Sequence, residues 1–237
     1  MKRQSSSRWT ESCMYTLDKE KIKAVFFDYD NTLGNRYLSS YNTYKELITE
    51  YRPDLLEDPL LVEALLQDMT TYDQFGNVAT DYVLKRVQGK YGITFDLKDP
   101  YRWWNDTHCK NAVLWEDTMP TLEKLKEKYK LGIITNGDAY GQSTKIRITK
   151  LDIIVDDFVV SGEIGIHKPD KRIFETACRR LDVKTEESVY VGDTFGNDIL
   201  GAVRAGMIPI WIWPDQVREM HTEIIRIQKF SDLLDIL

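Results

Sequence analysis

Short apolar runs recur along the chain and predict buried strands. The first is Ile22 to Phe27, a run rich in β-branched and aromatic side chains that ends at Asp28. A run this short and this apolar suits a strand that is buried on both faces of a parallel sheet. Four further runs resemble it: Leu131 to Thr135, Phe158 to Val160, Ser188 to Gly192 and Met207 to Trp213. The pattern therefore predicts about five core strands.

Helical patterns lie between these runs. From Thr118 to Lys130 the apolar residues recur at helical spacing, and Pro120 stands near the start, where a helix tolerates proline. From Asp170 to Leu181 the same spacing returns, with Asp170 placed as an N-cap. Strands that alternate with helices predict an α/β fold, here a doubly wound, Rossmann-like parallel sheet with helices on both faces.

The stretch 37–112 has helical periodicity and no convincing buried strand. One helical face in it is apolar: Leu60, Leu61, Ala64, Leu65 and Met69. We interpret this stretch as an all-helical insertion that follows the first strand. The predicted organisation is an N-terminal arm at 1–20, a core formed by 21–36 and 113–237, and an inserted helical domain at 37–112.

Composition narrows the classes of protein that remain. The 237 residues are 42% hydrophobic and 30% charged, which is typical of a globular protein. The net charge of −6 disfavours a general binder of nucleic-acid polymers, and no run of membrane-spanning length is free of charges. Cys13, Cys109 and Cys178 are too scattered for a disulfide framework or a zinc site, and no secretory leader is evident. We therefore expect a cytoplasmic protein of unassigned oligomeric state.

Candidate chemistry begins where the first predicted strand ends, in Asp28-Tyr29-Asp30-Asn31-Thr32. Two carboxylates two residues apart on an extended chain project to the same side. They would lie beyond the carboxyl ends of the strands, where open α/β sheets bind ligands. Their mutual repulsion favours an opposing charge, such as a hard divalent cation. The alternative is an ordinary turn, in which Asp, Asn and Thr are common.

A second motif, Thr135-Asn136-Gly137, follows the second predicted strand. Hydroxyl and backbone N–H groups at a turn from strand to helix suit an anion. A simple tight turn explains the tripeptide equally well when it is taken alone. Its interest comes from the edge of the sheet that it shares with Asp28 and Asp30.

Two further motifs add a lysine and two carboxylates. Pro169 disfavours helix at Lys168 and keeps that residue extended, so its ammonium could act as a point charge on a phosphate. After the fourth strand, Asp193 could complete a metal site, and Asp198 could orient Asp193, a metal-bound water or Lys168. The alternatives are a solvated lysine and a glycine-rich loop with capping residues. Chance explains each motif more easily than it explains all of them together.

The set Asp-x-Asp-x-Thr, Thr-Asn-Gly, Lys-Pro and Gly-Asp-x-x-x-Asn-Asp, in this order and spacing, resembles the haloacid dehalogenase superfamily of hydrolases. The resemblance extends from about Ala24 to the end of the chain. The helical insertion looks like that family's cap of the first class, as found in its phosphatases. The first and last motifs are specific for this superfamily, whereas the middle two support the resemblance only in combination with them.

The resemblance implies catalytic roles at the first motif. Asp28 would be the nucleophile that attacks phosphorus and becomes an aspartyl-phosphate. Asp30 would be the general acid for the leaving group and then the general base for the hydrolytic water. A halide leaving group needs no such acid, and phosphonatases of the family usually have a small residue at this position. Asp30 therefore favours a phosphate ester over a carbon–halogen or carbon–phosphorus bond.

The resemblance also implies the binding residues. Thr135, Asn136 and Lys168 would bind the transferring phosphoryl group. Mg²⁺ would be bound by the carboxylates of Asp28 and Asp193 and by the backbone carbonyl of Asp30. The carboxylate of Asp198 would orient these residues without itself binding the metal or the phosphate.

The expected activity is that of a Mg²⁺-dependent phosphomonoesterase acting on a small phosphorylated metabolite, either a nucleoside monophosphate or a sugar phosphate. The helical insertion would close over this substrate and set specificity. One alternative is a phosphomutase of the same superfamily, which returns the phosphoryl group to an intermediate. Another is a phosphoacceptor signalling domain, which also places acidic residues and a lysine at strand ends. The second acid at Asp30 and the helical insertion disfavour the signalling domain.

Overall fold

The computed structural model describes residues 17–76, 78–212 and 224–237, which divide into two compact units. Within those described ranges, the first unit comprises 17–33, Glu116–Gly137, 152–212 and 224–237, and the second comprises 34–76, 78–115 and Asp138–Leu151. Most of the predicted N-terminal arm, 1–20, lies outside the described residues, as do Cys13 and Trp213. The domain boundaries inferred from the sequence stay a prediction.

Strands of the first unit form one parallel, six-stranded sheet. They are β1 (Ala24–Phe27), β2 (Lys130–Thr135), β3 (Asp157–Val160), β4 (Ser188–Gly192), β5 (Ile208–Ile212) and β6 (Ile225–Ile227). Their order is β3–β2–β1–β4–β5–β6, and every neighbouring pair is parallel. This is the Rossmann-like order, in which the direction of winding reverses between β1 and β4. The predicted α/β fold class is confirmed.

The sheet has one strand more than the apolar runs predict. β6 is three residues long and pairs with β5 along Ile210, Trp211 and Ile212. Its sequence, Ile-Arg-Ile, is shorter than the runs that predict a strand from apolar pattern alone. The strand is therefore defined by its neighbour in the sheet rather than by its own composition.

Ten α-helical segments occur in the described residues. They are α1 (Arg36–Tyr51), α2 (Pro59–Tyr72), α3 (Thr80–Tyr91), α4 (Pro100–His108), α5 (Thr118–Lys126), α6 (Ala139–Ile148), α7 (Ser161–Ile164), α8 (Lys171–Arg180), α9 (Leu200–Ala205) and α10 (Leu233–Ile236). The helix α5 ends before the predicted Lys130, because Lys130 already pairs with Ala24 in the sheet. Within the described ranges, no helix combines the length and the apolar character that crossing a membrane requires.

Apolar side chains bury the sheet on both sides, which is why its strands lack alternation. All residues of β1 and β4 are buried. Phe26, Phe174 and Tyr190 belong to one apolar cluster, and the Phe174 and Tyr190 rings form a T-shaped pair with centroids 4.9 Å apart. Close packing of this kind fixes side chains in single rotamers. It holds the carboxyl ends of β1 and β4 in place.

The second unit has a helical core of its own. The helix α2 lies inside the predicted helical insertion, and its buried stripe comprises Val62, Leu65, Leu66 and Met69, whereas Leu60 is exposed. The buried stripe therefore shares only Leu65 and Met69 with the apolar face predicted from the sequence, since Leu60 and Ala64 are exposed and Leu61 is partly buried. Aspartate or asparagine side chains cap the starts of α1, α2 and α4, which satisfies backbone N–H groups there.

A polar cluster is buried inside this second unit. The Arg36 guanidinium lies 3.5 Å from the Asp73 carboxylate and 3.3 Å from Nε2 of His108. Gly76 has φ +87°, and a Cβ there would come within 2.4 Å of the guanidinium carbon. Glycine is favoured there by its left-handed backbone, and any other residue would also displace the Arg36 guanidinium.

Candidate active site

Asp28 lies at the carboxyl end of β1, beside the point where the winding reverses. Its backbone N–H donates to the carbonyl of Val191 in β4 at 2.9 Å, and its side chain is buried. Asp30 follows in the turn, partly buried, and Asn31 has a left-handed φ of 59°. Asparagine tolerates this conformation better than most residues. The motif therefore turns the chain and leaves a buried carboxylate at the edge of the sheet.

Lys168 is buried against two carboxylates. Its Nζ lies 2.7 Å from Oδ1 of Asp28, 2.7 Å from Oδ1 of Asp198 and 3.0 Å from the hydroxyl of Tyr190. An ammonium group has three N–H donors, so each of them has an acceptor. The lysine brings the predicted motifs at 28, 168 and 198 together in one cluster.

Asn136 fixes the backbone of Lys168. Its side-chain amide donates to the Lys168 carbonyl at 3.0 Å, and its carbonyl oxygen accepts from the Lys168 N–H at 2.8 Å. Asn136 follows β2, and Asp170 caps α8 by accepting from the backbone N–H of Arg172. The segment that carries Lys168 is thus held both by the end of β2 and by the start of α8.

Asp198 is entirely buried beneath the loop that follows β4. Its Oδ2 accepts from the backbone N–H of Thr194 at 2.9 Å, while its Oδ1 contacts Lys168. A Cβ at Gly192 would lie 2.4 Å from Cβ and Cγ of Asp198. Gly192 is therefore needed for close approach, and the loop from 192 to 198 folds back over its own carboxylate.

Asp193 lies next to this loop and is partly buried. The hydroxyl of Thr194 donates to its Oδ1 at 3.2 Å, and Nε1 of Trp211 donates to its backbone carbonyl at 2.8 Å. Trp211 belongs to β5, and its ring meets the edge of Phe195 with centroids 5.0 Å apart. The neighbouring strand therefore holds the backbone of Asp193 in place.

Burial and like charge shift the acid–base properties of the cluster. Burial raises the pKa of Asp28 from its ordinary 3.8 to about 8; the charges of Asp198 and Asp193 add to this effect, and Lys168 opposes it. Burial and the charge of Asp198 raise the pKa of Asp193 to about 7. Burial alone would lower the pKa of Lys168, but the carboxylates of Asp198 and Asp28 leave it above its ordinary value. Negative charge is in excess here.

The carboxylates form a donor set that fits a hard cation. One oxygen from each of Asp28, Asp193 and Asp198 lies within 4.8 Å of the others. Magnesium and calcium prefer such oxygen ligands. Because both oxygens of Asp198 already accept hydrogen bonds, Asp28 and Asp193 are the better ligands. The residues present therefore fit Mg²⁺.

Thr135 ends β2 and is buried. Because β2 lies directly beside β1, Thr135 ends at the same edge of the sheet as Asp28. Its hydroxyl makes one long contact of 3.5 Å, with the carbonyl of Asn136. The Thr135 hydroxyl is held only weakly by this contact.

The sequence interpretation missed two residues that hold the cluster. Tyr190 and Trp211 lie within the apolar runs that predict strands, and the motifs assign neither of them to the site. Both side chains carry a polar atom that needs a partner when it is buried. That requirement, applied to an aromatic residue close to a cluster of acids, is the signal that could have found them.

Comparison with known proteins identifies the family. The profile of the haloacid dehalogenase-like hydrolases matches residues 25–212. A glyceraldehyde 3-phosphate phosphatase of Methanothermobacter thermautotrophicus is 34% identical, over 91% of this chain and all of that protein. The human N-acylneuraminate-9-phosphatase is 29% identical, over 91% of this chain and 92% of that protein.

A solved structure has the same fold. The HAD-hydrolase YfnB of Bacillus subtilis, determined with magnesium bound, matches with a TM-score of 0.70 at 21% identity. The match covers 91% of this chain and 98% of that one. The profile match covers well over half of the sequence and includes all four of the sequence motifs in full. The chain belongs to the haloacid dehalogenase-like hydrolases.

Proposed function

We propose that this hydrolase is a Mg²⁺-dependent phosphatase that acts on a small phosphorylated sugar through an aspartyl-phosphate at Asp28. The observation that carries the proposal is the 2.7 Å contact between the Lys168 ammonium and the buried Asp28 carboxylate, in a cluster with two further carboxylates. A carboxylate attacks an anionic phosphate only where the repulsion between them is offset. A lysine and a site for a divalent cation provide that offset.

The names of similar proteins support a sugar phosphate as the substrate. Glyceraldehyde 3-phosphate and N-acylneuraminate 9-phosphate are both phosphate monoesters of hydroxylated carbon chains that also carry a carbonyl group. We therefore rank substrates of this chemistry above the nucleoside monophosphates that the sequence left open. The leaving group is an alkoxide oxygen, which requires a proton as it departs.

The chemical steps use the two carboxylates of the first motif. An oxygen of Asp28 bonds to phosphorus as the bond from phosphorus to the leaving oxygen breaks, and Asp30 gives its proton to that oxygen. Asp30 then takes a proton from the water that attacks phosphorus, and Asp28 is released with inorganic phosphate. Proton and phosphoryl group are thus both accounted for.

Lys168 and Thr135 hold the phosphoryl oxygens during transfer. Because all three N–H groups of Lys168 already have protein acceptors, the one directed at Asp28 is the one that must change partner. The Asn136 side chain is occupied by the backbone of Lys168, so we assign it to positioning that lysine.

Asp28 and Asp193 would hold Mg²⁺ through their carboxylates, and Asp30 would hold it through its backbone carbonyl. The bound ion supplies positive charge that offsets the repulsion between carboxylate and phosphate. The magnesium described in the YfnB structure, which shares this fold, supports the choice of ion. Asp198 keeps its contacts with Lys168 and Thr194 throughout.

The test measures inorganic phosphate released from a panel of sugar phosphates and nucleoside monophosphates, with Mg²⁺ and with a chelator. We expect release from sugar phosphates that requires Mg²⁺. Asp28→Asn keeps the shape of the side chain but removes the nucleophile, so activity should fall by about a thousandfold or more. The matched control is Asp152→Asn, at an exposed position of the same unit, which should keep its activity.

Two outcomes would contradict the proposal. Full activity in Asp28→Asn would exclude the aspartyl-phosphate route. Conversion of a hexose 1-phosphate to its isomer, without release of phosphate, would instead support the phosphomutase.

A further inference from the structure

Tyr190 carries a polar atom into the middle of an apolar strand. It lies between Val189 and Val191 in β4, and all three side chains are fully buried. Its hydroxyl lies 3.0 Å from Nζ of Lys168, 3.0 Å from the carbonyl of Ile134 and 3.1 Å from Oδ1 of Asp198. A buried phenol needs one partner, and this one has three.

The donors and acceptors at this hydroxyl leave little freedom. A phenol has one proton, which goes to Ile134 or Asp198, and lone pairs that accept from Lys168. Lys168 in turn donates to Tyr190, Asp198 and Asp28. The ammonium therefore has three fixed contacts: Tyr190 in β4, Asp198 in the loop after β4 and Asp28 at the end of β1.

Packing of the Tyr190 ring fixes the hydroxyl that contacts the Lys168 ammonium. The Phe174 ring packs against the Tyr190 ring in a T-shaped arrangement, and the Lys168 ammonium lies 5.6 Å from the centroid of the Tyr190 ring. The Ile134 carbonyl ties the hydroxyl to β2, one residue before Thr135. A lysine otherwise has a long flexible stem with several rotatable bonds. Here its charged end is fixed relative to three strands of the sheet.

We propose that Tyr190 is a positioning residue for the phosphoryl transfer. Together with Asp198 it retains the Lys168 ammonium while the third N–H of that group moves from Asp28 to a phosphoryl oxygen. Without the Tyr190 hydroxyl, the Lys168 ammonium would be free to shift toward the carboxylates that remain in contact with it. The inference rests on the proposed phosphatase function, although the state of the lysine can be measured without any substrate.

Tyr129 provides a matched comparison in the same unit. It is also a buried tyrosine, and its hydroxyl donates to the backbone carbonyl of Leu237 at 3.0 Å. Among the described residues, its hydroxyl makes no hydrogen bond to Lys168, Asp28 or Asp198. Tyr129→Phe therefore removes a phenol-to-carbonyl hydrogen bond of the same kind, away from the lysine.

The kinetic arm compares Tyr190→Phe with Tyr129→Phe. We expect Tyr190→Phe to lower kcat by about tenfold or more, because a hydrogen bond to a charged group is lost, with KM changed by less than about threefold. Tyr129→Phe should keep kcat within about twofold of wild type. Thermal unfolding of both variants separates loss of stability from loss of turnover, since each loses one buried hydrogen bond.

The second arm observes the lysine directly by NMR of its ¹⁵N-labelled ammonium group, without substrate. We expect a slowly exchanging Lys168 signal in the wild type, identified by its disappearance in Lys168→Met. In Tyr190→Phe the signal should shift and exchange faster with solvent, whereas Tyr129→Phe should leave it unchanged. This arm remains decisive if no tested substrate is hydrolysed, a result that would count against the proposed function alone.

Two results would overturn the inference. One is a Lys168 signal and a kcat in Tyr190→Phe that both equal those of the wild type. The other is an equal loss of turnover in Tyr190→Phe and Tyr129→Phe, since that would reduce Tyr190 to an ordinary core residue.

Discussion

At the scale of single residues, the site combines charges that would be costly elsewhere. Lys168 is only 4% exposed, and Asp198 is completely buried. Buried ion pairs seldom stabilise a fold more than apolar packing would, because desolvation offsets their attraction. Three carboxylates face one ammonium, and when all are ionised the excess is two negative charges, which one divalent cation balances. The arrangement is better explained by chemistry than by stability.

Gly192 allows a prediction at this scale. In Gly192→Ala the new Cβ would collide with Asp198, so the carboxylate must move away from Lys168. We expect kcat/KM to fall by at least about tenfold and the free energy of unfolding to fall by about 1–3 kcal/mol from overpacking. Enzyme assays and thermal unfolding provide the two measurements.

Gly196 is the matched control in the same loop. A Cβ there meets nothing within 4 Å, and its φ is not in the left-handed region. Gly196→Ala should therefore leave both activity and stability close to wild type. Equal losses in the two variants would mean that the loop tolerates no substitution, and the specific contact with Asp198 would lose its support.

At the scale of the elements, the order of strands explains how distant motifs meet. β1 lies between β2 and β4, so Asp28, Thr135 and Asp193 lie at the carboxyl ends of three adjacent parallel strands. The carboxyl ends of parallel strands share one edge, and ligands bind there where the winding reverses. Lys168 alone follows no strand of the sheet, and its segment is held by Asn136 instead.

Apolar runs predicted β1 to β5 because strands buried on both faces consist of continuous apolar residues. The same criterion could not find β6, which is three residues long and includes Arg226. Nor could it assign Tyr190 or Trp211 to the site, because an apolar pattern alone does not say where a hydroxyl or an indole N–H finds its partner. The motif residues Asp28, Lys168 and Asp198 do lie together, and their catalytic roles stay a prediction.

At the scale of the whole molecule, the site links stability to pH. In the folded protein the pKa of Asp28 is raised to about 8 and that of Asp193 to about 7, whereas the ordinary aspartate pKa is 3.8. Between these pH values the folded protein therefore holds protons that the unfolded chain has released. Stability of the metal-free protein should therefore fall as pH rises from about 4 to 8. Carboxylates with lowered pKa, such as Asp170 at about 2, act in the opposite sense but only at lower pH.

Thermal unfolding between pH 5 and 8 measures this linkage, first with chelator and then with Mg²⁺. We expect the melting temperature to fall with pH in chelator and to fall less, or to rise, with Mg²⁺, because the ion binds the ionised carboxylates. Asp193→Asn should flatten the curve in chelator. A melting temperature that rises from pH 5 to 8 without metal would contradict the assigned pKa shifts.

The most direct test of the account asks whether Asp28 itself becomes phosphorylated. The enzyme is mixed with Mg²⁺ and a sugar phosphate that it hydrolyses. The reaction is quenched in acid within the first turnover, and the protein is digested for peptide mass spectrometry. We predict a phosphoryl group on the peptide that carries Asp28, absent with chelator and absent from Asp28→Asn. Phosphate release at the normal rate with no phosphoryl group on Asp28, or with one on another residue, would contradict the account.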